Sequence, residues 1–98
     1  MRELTFEWDS RKADANLHKH GVSFEEAQTA FSDEMALVID DPDHSDKEHR
    51  LVLLGVSAAT RVLVVVHAYR AANDTIRIIS ARRATRAERT VYAQRSRT

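Results

Sequence analysis

The sequence contains no cysteine, two glycines, one proline and no long apolar run. Without cysteine, the chain forms no disulfide framework, no thiolate zinc site and no cysteine nucleophile. No apolar run approaches the roughly 18 residues that span a bilayer, and the N-terminus lacks the basic-then-apolar layout of a signal peptide. We therefore expect a cytoplasmic protein that does not contact a membrane, with a single domain over residues 1–98.

The net charge of zero conceals an uneven distribution of charge along the chain. Residues 1–60 carry six basic and thirteen acidic side chains, whereas residues 61–98 carry nine basic and two acidic ones. A half this basic attracts phosphate groups. The alternative is that the acidic half folds against the basic half and neutralises it, because opposite charges pair readily across a protein surface.

Helix-start and helix-stop signals predict two helices near the N-terminus. Asp9 or the serine after it can accept hydrogen bonds from the first free amides of a helix. That helix is expected to end at Gly21, because glycine adopts the left-handed conformation after a C-cap without steric cost. Ser23 and Glu26 have the spacing of a capping box, which predicts a second helix that ends at about Phe31.

The rest of the chain alternates between β-capable runs and turns, and ends in a third helix. Thr85 and Glu88 form a second capping box, which begins that last helix. The short breaks between the last three runs suit antiparallel hairpins. We predict the order β-α-α-β-β-β-β-α, an α+β fold in which helices cover one face of an antiparallel sheet of four to five strands. The predicted strands are Leu4–Trp8, Met35–Ile39, Leu51–Val56, Val62–Tyr69 and Thr75–Ala81.

Arginines concentrate where the last predicted strand meets the last helix. Arg82 and Arg83 end the strand, Arg86 and Arg89 follow in the helix, and Tyr92 lies three residues further on. Positive side chains at a helix N-terminus oppose the helix dipole and one another, whereas an anion there is stabilised by both. Since arginine grips phosphate oxygens at two points, the pattern predicts a phosphate-binding site. The alternative is that the strand-end arginines pair with the acidic loop before the third predicted strand, or with a partner protein.

His67 ends an apolar run in the strand expected to lie beside the arginine-bearing strand. This placement predicts that His67 lies near Arg82 or Arg83. A histidine that titrates near neutrality can move protons in phosphodiester cleavage while an arginine stabilises the charge on the phosphoryl oxygens. The alternative is a hydrogen-bonded structural histidine, which is the common role of a histidine at a strand end.

Two other groups of polar residues were candidates for binding. His44 and His49 lie among acidic residues, but their spacing matches neither a closed zinc site nor an EF-hand, so we predict no metal and no cofactor. Lys19 and His20 end the first helix, where the helix dipole stabilises positive charge. Either of these two residues could also face a nucleic acid.

Four segments of the sequence carry a resemblance to a known family: Phe6–Asp9, Lys19–Ala27, Asp41–Ser45 and Arg77–Thr85. Together they resemble the BrnT family, the ribonuclease toxins of type II toxin–antitoxin modules. The resemblance covers nearly the whole chain, in order and at similar spacing. It implies a RelE-like α+β fold, metal-independent cleavage of RNA that arrests translation, and neutralisation by a BrnA-like antitoxin encoded beside the toxin. It also implies a hetero-oligomer with the antitoxin, through which alone the complex contacts DNA.

The resemblance places its functional residues where the residue patterns alone placed them. Two departures are a long segment after Tyr69, residues 70–74, and the presence of Ala93 where an acidic neighbour of Tyr92 is expected. We predict an endoribonuclease in which the catalytic residues are His67, Arg82 and Arg83. The predicted RNA-binding residues are Arg77, Arg86, Arg89, Tyr92 and Lys19.

Two other functions remained open on the sequence alone. A non-catalytic module that uses its basic face to bind RNA or an acidic partner would show salt-dependent binding without strand scission. A DNA-binding repressor is disfavoured because the sequence shows no helix-turn-helix with a polar recognition face.

Overall fold

The computed structural model describes residues 4–41 and 49–95. Both the predicted α+β class and the predicted element order are confirmed, and the observed boundaries lie within two residues of most predicted ones. The elements are β1 (Thr5–Glu7), α1 (Ser10–His20), α2 (Phe24–Thr29), β2 (Leu37–Asp40), β3 (Arg50–Val56), β4 (Val62–Arg70), β5 (Thr75–Arg83) and α3 (Arg86–Arg95), with short 3-10 segments at Ala30–Ser32 and Ala71–Asn73.

The five strands form one sheet in the order β1-β5-β4-β3-β2. Strands β2 to β5 form the predicted antiparallel meander. The prediction of a wholly antiparallel sheet is wrong, because β1 pairs with β5 in the parallel direction, with Thr5 opposite Thr75. Two helices follow β1, so the chain crosses the sheet before it forms its next strand, and no hairpin turn fixes the partner of β1.

Helices lie on both faces of the sheet, which corrects the prediction that they cover only one. Phe24 of α2 packs with Leu53 and Val65 in the main core. Strand side chains alternate between the two faces, so the residues adjacent to Leu53 and Val65 in the sequence point to the opposite face. There Leu54 and Val64 form a smaller apolar cluster against which Tyr92 of α3 packs, together with the Leu37, Val52 and Val62 side chains.

Helix α1 begins and ends where the sequence predicts. The Asp9 carboxylate accepts hydrogen bonds from the backbone N–H groups of Arg11 and Lys12 at 2.8 and 3.1 Å. Gly21 ends the helix with φ of 69°, and its N–H donates to the carbonyl oxygen of Leu17 at 2.8 Å. The left-handed backbone explains why this position favours glycine.

A buried asparagine joins α1 to the last strand. The Asn16 side-chain amide donates to the carbonyl oxygens of Val22 and Ala81 at 2.9 and 2.8 Å. Its Oδ1 accepts from the N–H of Ala81 at 3.1 Å. These bonds satisfy the backbone N–H and C=O groups of Ala81, in the part of β5 that β1 does not pair with. They also fix the position of the arginine-bearing end of β5 relative to α1.

Candidate phosphate-binding site

Arg82 and Arg83 are neighbours on β5, and their side chains lie on opposite faces of the sheet. Arg82 is opposite Val64, which belongs to the cluster beneath α3, whereas Arg83 is opposite Leu63, in the main core. Cross-strand partners share a face and successive residues alternate. The structure therefore does not bring these two guanidinium groups together on one side of the sheet.

Arg82 is held by a carboxylate of α3. Its Nη1 and Nη2 donate to the two carboxylate oxygens of Glu88 at 2.8 and 2.9 Å. Glu88 also accepts from the N–H of Thr85 at 2.8 Å and donates its own N–H to Thr85 Oγ1 at 3.2 Å, so the predicted capping box is complete. The Arg82 guanidinium lowers the pKa of Glu88 to about 2. Arg82 therefore forms an ion pair, which was the alternative to phosphate binding in the sequence analysis, although its partner is Glu88 and not the acidic loop.

Three other arginines line an open depression of about 260 Å³ where β5 leads into α3. Arg83 comes from the end of β5, Arg89 from α3, and Arg61 from the residue just before β4. The N–H of Ala84 donates to the carbonyl oxygen of Val62 at 2.9 Å, which holds the start of β4 against the junction. We call this depression the arginine pocket. Its lining is completed by Thr60, Val62 and Ala84.

Arg61 is fixed in place by α2. Its guanidinium binds both carboxylate oxygens of Glu26 and donates to the carbonyl oxygen of Gly21 at 3.1 Å. The Ser57 hydroxyl donates to the same carboxylate at 2.7 Å, and hydrogen bonding from Arg61 lowers the pKa of Glu26. The Glu26 carboxylate is therefore occupied by Arg61. Only the other half of the predicted capping box forms, with the Glu26 N–H donating to Ser23 Oγ at 3.0 Å.

The arginine pocket carries an excess of positive charge. Neither Arg83 nor Arg89 has a carboxylate partner in the described part of the chain, and Arg89 donates to the carbonyl oxygen of Ala84 at 3.0 Å. Among the described residues, Glu26 is the one carboxylate at this site, and it binds Arg61 alone of the three arginines. Arg86 is exposed in the first turn of α3, whose free amides add partial positive charge. The site is therefore suited to an anion.

Backbone strain marks the rim of the arginine pocket. Thr60 lies in the turn between β3 and β4 with φ of 61°, a conformation that β-branched residues rarely adopt. Its N–H donates to the carbonyl oxygen of Ser57 at 2.9 Å. Strained residues concentrate at ligand-binding sites, because the surrounding structure must hold them in place. Among the described residues, one other non-glycine residue has a positive φ: Asp74, with φ of 48°, in the turn between β4 and β5.

The sequence pattern singled out Arg83 and Arg89 but missed Arg61. Arg61 directly precedes the apolar run of β4, and the antiparallel register with Leu63 opposite Arg83 places it at the same end of the sheet. The signal that would have found it is therefore this register, which the turn residues between β3 and β4 do not specify.

His67 lies on a different part of the molecule from the arginine pocket. Its ring is 3% exposed and packs edge-on against Phe31 with ring centroids 4.8 Å apart. Burial lowers its pKa, although its Nδ1 lies 3.1 Å from the carbonyl oxygen of Val65. It is opposite Ile78, and the five residues from there to Arg83 span roughly 16 Å of strand. The expected proximity of His67 to the strand-end arginines is therefore wrong, and its catalytic role stays a prediction.

The remaining candidate residues lie at separate places outside the arginine pocket. The Tyr92 hydroxyl donates to Asp33 at 2.6 Å, on the face that α3 crosses. Arg77 is half-buried on that same face, opposite Ala68. Lys19 is exposed in the last turn of α1. The structure groups these side chains neither with one another nor with His67.

No helix in residues 4–41 and 49–95 is long and apolar enough to cross a membrane. Over the same ranges, no three His, Asp or Glu side chains are grouped so that they could hold a metal ion. His44, which the sequence analysis considered with His49, lies outside the described residues. His49 itself is exposed and within 2.8 Å of the Asp40 carboxylate.

Comparison with known proteins decides the family. A family model described as the ribonuclease toxin BrnT of type II toxin–antitoxin systems matches residues 8–88. The chain belongs to the BrnT family. Among solved structures, this BrnT-family protein is similar to the crystal structure of the Brucella abortus ribonuclease toxin BrnT, with a TM-score of 0.62 and 22% sequence identity over 86% of this chain and 100% of that one. No curated protein matches.

Membership identifies this BrnT-family chain as a ribonuclease toxin of a type II toxin–antitoxin system. Membership also implies an RNA target and an antitoxin partner. The matched range includes Arg61 and Arg83 and ends one residue before Arg89. The structural similarity supports the α+β fold.

Proposed function

We propose that this BrnT-family toxin is an endoribonuclease that binds the scissile phosphate of RNA in the arginine pocket. The observation that carries the proposal is the convergence of Arg61, Arg83 and Arg89 from three elements on one open depression. Within the described residues, Arg61 alone among them is paired with a carboxylate, so the pocket retains positive charge that a phosphodiester would neutralise.

The chemistry that suits this pocket is attack by the 2′-hydroxyl of RNA on the adjacent phosphate. The bond from the 2′-oxygen to phosphorus forms and the bond to the 5′-oxygen breaks, which leaves a 2′,3′-cyclic phosphate and a 5′-hydroxyl. The 2′-proton passes to water and the 5′-oxygen takes a proton from water. Arg83 and Arg89 would stabilise the charge that grows on the phosphoryl oxygens, and this step requires no metal ion.

Arg61 would act as the fixed member of the pocket. Its guanidinium is already oriented by Glu26 and Gly21, so it loses little conformational freedom when phosphate binds. Arg83 and Arg89 are exposed and would close on the phosphate from the β5 and α3 sides. Arg86, exposed one turn before Arg89, would bind the next phosphate of the strand.

His67 and Arg82 take other roles in this proposal. A histidine that is 3% exposed and packed against Phe31 does not reach a bound RNA, so we assign His67 to the stability of the core. Arg82 anchors α3 through Glu88 and shapes the junction from the opposite face. Lys19, Arg77 and Tyr92 would contact only flanking nucleotides.

The proposal extends to the cell, where membership in a family of ribonuclease toxins supports it. Cleavage of cytoplasmic RNA would arrest translation, and a BrnA-like antitoxin would neutralise the toxin in a hetero-oligomer. Contact with DNA would come through that antitoxin.

The test is cleavage of end-labelled RNA by purified variants in excess EDTA. We expect Arg83→Ala and Arg89→Ala to cut about 100- to 1,000-fold more slowly, which is the usual cost of losing a preorganised charge donor. Arg11→Ala is the matched control, because Arg11 is an exposed arginine in the first turn of α1 and does not line the arginine pocket. This variant should cut at the parent rate. His67→Asn should stay within a few-fold of the parent once the folded fraction is measured by circular dichroism.

Three results would overturn the proposal. RNA binding without scission by the parent would favour a non-catalytic module. Equal rates for Arg83→Ala, Arg89→Ala and the Arg11→Ala control would remove the arginine pocket from the reaction. A loss of more than about 100-fold in a fully folded His67→Asn would restore His67 as an acid or base.

A further inference from the structure

Strand β2 forms a free edge of the sheet within the described residues. It pairs only with β3, and it is the last strand in the order β1-β5-β4-β3-β2. Val38 and Ile39 are 48% and 54% exposed, which is unusual for apolar residues of a short strand. An exposed apolar edge is a template for pairing with another chain, and native proteins usually protect it.

The pairing register shows which backbone groups of β2 face outward. The N–H of Asp41 donates to the carbonyl oxygen of Arg50 at 3.0 Å, so these residues form a hydrogen-bonded pair. Hydrogen-bonded and non-hydrogen-bonded pairs alternate along an antiparallel ladder. Val38 and Asp40 therefore point their N–H and C=O groups away from β3, toward the open edge.

An apolar groove of about 190 Å³ adjoins this edge, on the face that α3 crosses. Ile39 lies in its wall at the β2 side, and Val91 of α3, 47% exposed, lies in the opposite wall. Glu88 lies at the same groove, paired with Arg82. The apolar lining consists of Leu37, Ile39, Val52, Leu54, Val64 and Val91.

The surroundings of β2 are acidic, and this charge restricts what can cover it. Residues 33–41 include four acidic side chains and no lysine or arginine. Two copies of the toxin that paired edge to edge through β2 would bring these carboxylates together, and like charges directly opposite each other are destabilising. A segment that carries lysine or arginine has the complementary charge. The acidic residues are Asp33, Glu34, Asp40 and Asp41. Asp33 is bound by Tyr92 and Asp41 is buried, so the charge that a partner can meet is that of the exposed Glu34 and Asp40.

We propose that β2 is the docking edge for the antitoxin, which adds an extended amphipathic segment to the sheet. Backbone groups of that segment pair with Val38 and Asp40, one set of its alternating side chains is apolar and enters the groove beside Ile39, and lysine or arginine side chains at its ends meet the acidic flanks of β2. The proposal rests on the antitoxin partner that BrnT membership implies. It does not depend on the arginine pocket, which lies at the β5–α3 junction.

The test uses the complex of this toxin with the antitoxin encoded beside it. Hydrogen exchange of the free toxin and the complex should show slower exchange for the amides of Val38 and Asp40, which point outward in the free chain. Val38→Pro removes one outward N–H without removing a bond to β3, and we expect it to weaken antitoxin binding at least 10-fold. Ile39→Ser should also weaken binding at least 10-fold. Leu17→Ser, which truncates an apolar side chain that is 49% exposed on α1, is the matched control and should bind as the parent does.

The outcomes separate this proposal from the nuclease proposal. Parent-like affinity of Val38→Pro and Ile39→Ser, with unchanged exchange at Val38 and Asp40 in the complex, would overturn it. Protection of the same two amides in the toxin alone, rising with its concentration, would identify a second copy as the occupant and would also overturn it. RNA cleavage by the free Ile39→Ser variant should equal that of the parent, and a loss of cleavage together with antitoxin binding would overturn the separation of the docking edge from the arginine pocket.

Discussion

At the residue scale, a hydrogen bond between the Tyr92 hydroxyl and the Asp33 carboxylate joins α3 to the rest of the fold. The hydroxyl donates to Oδ2 at 2.6 Å, and the same oxygen accepts from the N–H of Val56 at 2.9 Å. Burial alone raises the pKa of Asp33, but hydrogen bonds from Tyr92, Val56 and Met35 outweigh it and lower the pKa. Burial, with the nearby carboxylate, raises the pKa of Tyr92 to about 12.

Tyr92→Phe removes this hydrogen bond and retains the ring. We expect it to lower the free energy of unfolding at pH 7 by about 1–2 kcal/mol, because the bond is charge-assisted and partly buried. The raised pKa of Tyr92 means that the bond stabilises the fold below pH 10 and that its contribution is lost as the pH rises through about 12. The lowered pKa of Asp33 means that the contribution also fades in acid, below the ordinary value of 3.8.

Urea unfolding at pH 7 measures this effect, with Tyr69→Phe as the control. The Tyr69 hydroxyl donates to Asp74 at 2.7 Å in an exposed pair, so we expect a change within about 0.5 kcal/mol. A larger effect for the control than for Tyr92→Phe would show that the Asp33 contact does not hold α3.

At the residue scale, the sequence predicted local contacts and missed distant ones. Thr85 with Glu88 and Gly21 with Leu17 are three and four residues apart, so helix signals alone indicated them. The contacts of Glu26 with Arg61 and of Asp33 with Tyr92 join residues 35 and 59 positions apart. Such pairs depend on the packing of whole elements, which no local pattern encodes.

At the scale of elements, the first turn of α3 joins the end of β5 to the arginine pocket. Glu88 both caps the helix through Thr85 and binds Arg82, while Arg86 and Arg89 on the same helix face outward. A carboxylate at this position also interacts favourably with the helix dipole. The helix start that the sequence predicted therefore also separates Arg82, which is paired with Glu88, from Arg86 and Arg89, which have no carboxylate partner among the described residues.

Glu88→Gln tests this arrangement, since glutamine retains the hydrogen bond to Thr85 and loses the charge that binds Arg82. The pKa of Glu88 is lowered from 4.5 to about 2, so the pair stabilises the folded chain above pH 4.5 and that contribution is lost as the pH falls toward 2. We expect the variant to be less stable than the parent at pH 6 and the two to converge toward pH 3. Arg82→Gln should behave in the same way.

The measurement is urea unfolding of the three proteins across this range. If the stability of Glu88→Gln falls between pH 6 and pH 3 as steeply as that of the parent, the ion pair does not contribute as described.

At the scale of the whole molecule, the uneven charge has two predicted consequences: the basic half attracts phosphate, or the acidic half neutralises it. Each of these holds in part. Glu26 pairs with Arg61 and Glu7 with Arg70, so the acidic half does neutralise some of the basic half. Arg83, Arg86 and Arg89, at the β5–α3 junction, have no carboxylate partner within residues 4–41 and 49–95. The segregation therefore leaves a phosphate-attracting end of the molecule and an acidic edge at β2.

The sequence predicted the order of elements but not the sheet topology. Hairpin spacing indicated the meander of β2 to β5, because short breaks restrict how neighbouring strands pair. The parallel partner of β1 and the face on which α3 packs depend on long connections and on burial of the Leu54 and Val64 cluster. The same gap explains why His67 was expected beside Arg82 or Arg83: only the register between β4 and β5 shows that His67 lies opposite Ile78, five residues before Arg83.

The most direct test of the central claim is a crystal structure of the toxin with an RNA oligonucleotide whose 2′-hydroxyls are methylated, so that the attacking group is blocked. The account predicts a backbone phosphate within about 3 Å of the guanidinium groups of Arg83 and Arg89, with Arg61 retaining its bond to Glu26. A phosphate bound on the opposite face beside Arg77 and Arg82, with Arg83 and Arg89 left in solvent, would contradict it.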